Sequence, residues 1–190
     1  MKTSDPAFPA FPDDVATALG HLLVRFQSLE RSLTFAVGRF MNPGTQAIPP
    51  SLTLAVLNEL PFKSLVKIFA ALPAILLNAD PPFPQLVGGS PEFEALASAF
   101  ENGAKLATAV EERRNQLVHS DWLWMAAPQI GGAVLRSKSR THRKNGMNPS
   151  MEQVTAHAVE EAIKQVNEAM REVALASAAL QALLFPDAVA

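Results

Sequence analysis

The residues best suited to chemistry in this chain are Arg114, Asn115 and His119, within the run Arg114-Asn115-Gln116-Leu117-Val118-His119. Arginine carries a fixed charge and a fork of donors that suits an acid or an oxyanion. Histidine takes or gives a proton near neutral pH. On an ideal helix the buried stripe would centre near Leu106, Val110 and Leu117, with Arg113 and Arg114 on its two shoulders. A guanidinium beside a core needs an acid or an oxyanion partner, and Glu30, on the shoulder of an earlier helix, is a candidate structural partner for one arginine. Asn115, His119 and Glu112 share the opposite face. There His119 is either solvated or used at an interface with another molecule. Arg114 and His119 lie about 140° apart on such a helix. They converge only if the arginine side chain curls round, the helix unwinds near His119, or a second subunit supplies one of them.

Plainer roles stand beside these. Arg114 suits a structural ion pair with Glu30, and His119 suits a helix C-terminus, where the dipole favours it. His119-Ser120-Asp121 is no catalytic triad, because adjacent residues on one helix cannot adopt that geometry. His21, His142 and His157 lack metal-ligand spacing, so neither metal nor cofactor is expected. Trp122 and Trp124 sit at strand spacing and read as packing residues before base-stacking platforms.

A second candidate surface is electrostatic. Arg136, Lys138, Arg140, Arg143 and Lys144 lie in a stretch with no acid. The other residues carry eleven basic against eighteen acidic side chains, a net of −7, although the chain as a whole stands at only −2. That balance argues against a generally basic nucleic-acid binder and for one small basic region. In a strand, positions 136, 138 and 140 share a face. That face could track RNA phosphates, or it could be a solvated loop or a dock for an acidic protein.

The remaining composition narrows the classes. The chain has 190 residues, 48% of them hydrophobic, which suits a single domain with a sizeable core. It has no cysteine, which removes disulfides and thiolate catalysis and suits a cytoplasmic location. Met1 to Asp14 lacks the apolar core of a signal peptide, and Leu65 to Leu77, broken by Lys67 and Pro73, is too short to span a bilayer. No membrane insertion is expected.

The elements that must position these groups follow from periodicity. Residues 1–12 read as a flexible segment with three prolines, 13–185 as a single helical domain and 186–190 as a tail. A first helix is predicted from Asp13 to Met41, where Val15, Leu19, Leu22, Phe26, Leu29 and Leu33 recur at spacings of three and four. A short helix is expected within Ile48 to Leu60, then one opened by Pro61 that buries Phe62, Leu65, Val66, Phe69 and Leu72 and that Pro73 should end or kink. Ser90 and Pro91 open the motif helix, which should run to about Ser120. Trp122 to Ala126 and Ala133 to Ser139 suit a small β-hairpin, with His142 to Pro149 a polar loop. The last helix should begin near Ser150, with Gln153 completing a capping box. Helices of about thirty residues are about 45 Å long. Three of them with a shorter partner predict an all-α, up-and-down four-helix bundle, carrying the hairpin or an irregular insertion between the third and fourth long helices.

The run Arg114-Asn115-x-x-x-His119 resembles the Arg-polar-x-x-x-His signature of HEPN domains. Glu30 inside a long first helix, the Leu60-Pro61-Phe62 entry to the next, and a terminal helix after a polar break are also similar to that family, over about residues 13–185. The resemblance implies a metal-independent endoribonuclease, often a toxin or antiviral effector, working as a homodimer in which the motifs of two subunits meet. His119 would then be general base or acid at the ribose 2′-hydroxyl or the leaving oxygen. Arg114 would hold the scissile phosphate, and Asn115 would orient His119 or the phosphate. RNA and an antitoxin protein are the implied partners. That fold is often retained where cleavage is not established, so a non-catalytic HEPN-like helical dimer that binds protein or nucleotide stands beside the enzyme as the alternative.

Overall fold

The computed structural model describes residues 11–41, 51–80, 83–119, 121–123, 134–142 and 146–185. The protein is mainly helical. Its elements are α1 (Asp13–Met41), α2 (Ser51–Asn58), α3 (Phe62–Leu77), α4 (Pro91–Val118), β1 (Asp121–Leu123), β2 (Val134–His142), β3 (Gly146–Val154) and α5 (Ala156–Leu184). The backbone divides into two compact units, one of Met1–Val24 with Glu112–Lys164 and one of Arg25–Glu111 with Gln165–Ala190.

The larger unit is built from apolar stripes at helical spacing. Phe26, Leu29, Leu33, Val37 and Phe40 of α1 are buried, as are Phe62, Leu65, Val66, Phe69, Leu72 and Leu76 of α3. Each fully buried side chain of this size contributes about 1.5–3 kcal/mol. Phe26 packs on Phe62 with ring centroids 4.7 Å apart, and Phe69 on Phe100 at 4.6 Å. At Gly103 of α4 an added Cβ would lie 3.3 Å from Phe69 Cε1 and 3.6 Å from the Val173 backbone nitrogen, so the lack of a side chain leaves room for the Phe69 ring. The start of α4 has the expected cap: Phe93 N–H donates to Ser90 Oγ at 3.1 Å. Gly89, at φ +76°, makes the turn before it.

Pro73 neither ends α3 nor stands at its last turn; the helix continues to Leu77. Leu72, Pro73 and Leu76 are all buried. Their burial offsets the backbone hydrogen bond that proline cannot make.

The smaller unit contains the end of α4, the start of α5 and a three-stranded antiparallel sheet in the order β1-β2-β3. Among the described residues, Val15, Ala18 and Leu22 of α1, Leu117 of α4, Val154 of β3, and Val159 and Ala162 of α5 are buried in it. The sheet corrects the expectation of a two-stranded hairpin followed by a loop. β1 pairs with β2 through Asp121↔Ser137 to Leu123↔Leu135, and β2 pairs with β3 from Val134↔Val154 to His142↔Gly146. Residues 146–149, expected in a loop, belong to β3, whereas 124–133 and 143–145 lie outside the described residues. Ser150 and Gln153 also lie in β3, so they do not cap α5. Thr155 does: its Oγ1 accepts from Ala158 N–H at 3.2 Å. Phe11 meets Trp122 edge-on, with centroids 5.6 Å apart.

Candidate functional site

The motif occupies the last turns of α4, where Leu117 is fully buried and fixes the helix rotation. Arg113, Arg114 and Asn115 are half-buried, and His119 is exposed just past the helix end. The exposed histidine agrees with its expected outward face. The helix does not unwind to bring it round, because His119 N–H still donates to the Asn115 carbonyl at 3.1 Å.

Arg114 closes the angular gap instead. Its Nη1 donates to Asn115 Oδ1 at 2.9 Å and lies 3.5 Å from His119 Nε2. Of the three ways the two side chains could converge, the curled arginine is the one observed within one chain. Nε2 can accept from a guanidinium only when it carries no proton, which is the tautomer a base needs. The contact to His119 is long for a hydrogen bond and the contact to Asn115 is not. Of these two contacts, the one to Asn115 is therefore the firmer, and His119 is the looser neighbour. A fixed cation next to an exposed imidazole can hold an oxyanion while the ring exchanges a proton.

Arg113 points elsewhere. Its Nη1 donates to Glu152 Oε1 of β3 at 3.2 Å and approaches Gln116 Oε1 at 3.5 Å. Glu152 is a residue the sequence reading missed, because it placed 152 in the first turn of the last helix. Glu30 lies in α1 and is half-buried, and its carboxylate has no ion pair among the described residues. Its backbone carbonyl accepts the Thr34 hydroxyl at 3.0 Å.

Arg136, Lys138 and Arg140 lie in β2, opposite Glu152, Ser150 and Asn148 in turn, and Arg136 is also opposite Trp122. The three basic residues therefore hold alternate positions along β2. Arg143, Lys144 and Trp124 lie outside the described residues. His157 stands exposed on α5, 3.8 Å from both Glu160 and Glu161. No group of three or more His, Asp or Glu side chains suited to a metal ion occurs among the described residues. No helix of the described residues is long and apolar enough to cross a membrane. Compared with family models, with curated proteins and with solved structures, the chain matches none.

Proposed function

We propose that the protein is a HEPN-like endoribonuclease of metal-independent type, folded as a four-helix bundle and acting as a homodimer. The observation that carries this reading is the Arg114 guanidinium, anchored on Asn115 and turned to the ring of His119 at an exposed helix end. His119 takes the proton of a ribose 2′-hydroxyl, whose oxygen attacks the adjacent phosphorus. The bond from phosphorus to the 5′-oxygen breaks, leaving a 2′,3′-cyclic phosphate. The leaving oxygen takes a proton from an acid, a role that suits the His119 of a second copy. Arg114 neutralises the charge that builds on the phosphoryl oxygens. The shared face of Arg136, Lys138 and Arg140 in β2 is the proposed track for flanking RNA phosphates, which Arg143 and Lys144 would extend. Cytoplasmic action, as a toxin held by an antitoxin or as an antiviral effector, fits this chemistry.

A second reading is a non-catalytic helical dimer that binds protein or nucleotide; the 3.5 Å separation of Arg114 and His119 favours it, being long for a working pair. RNA cleavage in the presence of chelator decides between them. Wild type should cut and His119→Ala should not. Equal cutting by both, or none by folded wild type across varied RNAs, overturns the enzyme.

A further inference from the structure

We propose that a cavity of the larger unit, walled by α1, α2 and α3, binds a small zwitterion, namely an α-amino acid with an apolar side chain. The cavity measures about 390 Å³ and is lined by Glu30 and Arg31 of α1 together with Leu54, Asn58 and Leu65. That volume lies within the range of small-molecule sites, about 300–1,000 Å³. It suits a molecule of amino-acid size.

The lining has two parts. Leu65 is 1% exposed and Leu54 is half-buried, so the cavity has an apolar wall. Phe35 also lines it, and the Arg31 guanidinium lies 5.6 Å from that ring's centroid. Thr34 spends its hydroxyl hydrogen on the Glu30 carbonyl, which leaves its oxygen able only to accept. The other part is charged. Glu30 and Arg31 are neighbours in sequence with opposite charges, and neither has an ion pair among the described residues. Asn58, exposed at the edge, offers both a donor and an acceptor.

Glu30 and Arg31 both line the cavity that Leu54 and Leu65 wall, and together they match a ligand with opposite charges at one end and an apolar chain at the other. The ligand's ammonium pairs with Glu30, its carboxylate with Arg31, and its side chain covers Leu54 and Leu65. A nucleotide fits less well. Its phosphate would meet a single arginine flanked by the repelling charge of Glu30. This site uses none of Arg114, Asn115 or His119, so it does not depend on the ribonuclease reading.

Titration calorimetry on the full chain tests the proposal with L-leucine and L-phenylalanine. At least one should bind saturably, with a Kd of about 1 mM or tighter. N-acetyl-leucine, which lacks the ammonium, and leucinamide, which lacks the carboxylate, should each bind about tenfold or more weakly. Glu30→Gln and Arg31→Gln should weaken leucine to a similar degree while leaving RNA cleavage unchanged. Should either variant fail to fold, the two modified leucines on wild-type protein still decide the matter. No saturable binding of either amino acid, equal binding of the modified leucines, or a preference for adenosine monophosphate overturns the assignment.

Discussion

One nitrogen of Arg114, Nη1, lies 2.9 Å from Asn115 Oδ1 and 3.5 Å from His119 Nε2. Two residues on the outward face of α4 are thus joined by a third whose backbone belongs to the shoulder of the core stripe. The arrangement needs the length of the arginine side chain, since a single guanidinium nitrogen meets both groups.

The first prediction concerns that length and shape. Lysine at 114 keeps the charge but offers a compact ammonium in place of a planar fork. Arg114→Lys should lower single-turnover RNA cleavage by about 10²-fold or more, the scale of losing one oriented donor to a developing oxyanion. Circular dichroism should show an unchanged helical content. Full activity in the lysine variant would show that charge alone suffices and that the fork is incidental.

Arg113 should behave differently from its neighbour. Its ion pair with Glu152 joins side chains that are 28% and 39% exposed. Such pairs contribute about 0–1 kcal/mol. A double-mutant cycle with Arg113→Ala and Glu152→Ala, followed by urea unfolding, should give a coupling energy inside that range. A coupling above about 3 kcal/mol, the scale of a buried pair, would show that β3 is clamped to α4 far more firmly than the exposure of the pair implies.

At Gly103 two effects oppose each other. Alanine is the better helix former by about 1 kcal/mol. Its Cβ, however, would stand 3.3 Å from Phe69, which is fully buried and packed on Phe100, and 3.6 Å from the backbone of α5. The α5 contact is an ordinary one, but the buried Phe69 ring would have to give by a few tenths of an ångström, so overpacking, at about 1–3 kcal/mol, should win. Gly103→Ala should lower Tm, and Gly103→Val should lower it further. A rise in Tm for alanine would mean that the phenylalanine ring yields.

The start of α5 carries a titration that can be read directly. A hydrogen bond from Lys164 Nζ, 2.6 Å from Glu161 Oε1, and the charge of the same lysine hold the Glu161 carboxyl below the usual glutamate range. The same contact raises Lys164 above the usual lysine range. The contribution of Glu161 to stability is therefore present above the pKa of an unfolded glutamate and is lost as pH falls through its lowered folded value. That of Lys164 is present below the unfolded lysine pKa and is lost as pH rises through its raised folded value. Carboxyl-detected NMR should find the Glu161 midpoint lowered in wild type and returned upward in Lys164→Met. Both groups are exposed, so added salt should shrink the difference. A midpoint unchanged by the lysine substitution would assign the shift to some other group.

Local signals in the sequence were legible and non-local ones were not. The bounds of α1, Asp13 to Met41, follow from one apolar stripe, two early aspartates and the Asn42-Pro43-Gly44 stop. Ser90 was readable as a cap because its partner, Phe93 N–H, is three residues away. The third strand was hidden for the opposite reason. Gly146 to Val154 contains Pro149 and Asn148, poor strand residues, and it is ordered by pairing with β2. Ser150 and Gln153 imitated a capping box, while the working cap, Thr155, stands five residues later. Pro73 followed the usual rule for a helix breaker until burial of its own turn outweighed it. At the candidate site the outward face of His119 was legible from rotation about the helix axis. The reach of Arg114 was not, because it depends on side-chain torsions, and the Arg113–Glu152 pair spans 39 residues.

Pro149 has a consequence for assembly. β3 lies at one border of the sheet, opposite Ser139 at Pro149, and β1 lies at the other among the described residues. Proline has no N–H, so the row of donors that an incoming strand would need is interrupted near the middle of β3. That border of the sheet is thereby guarded against edge-to-edge growth.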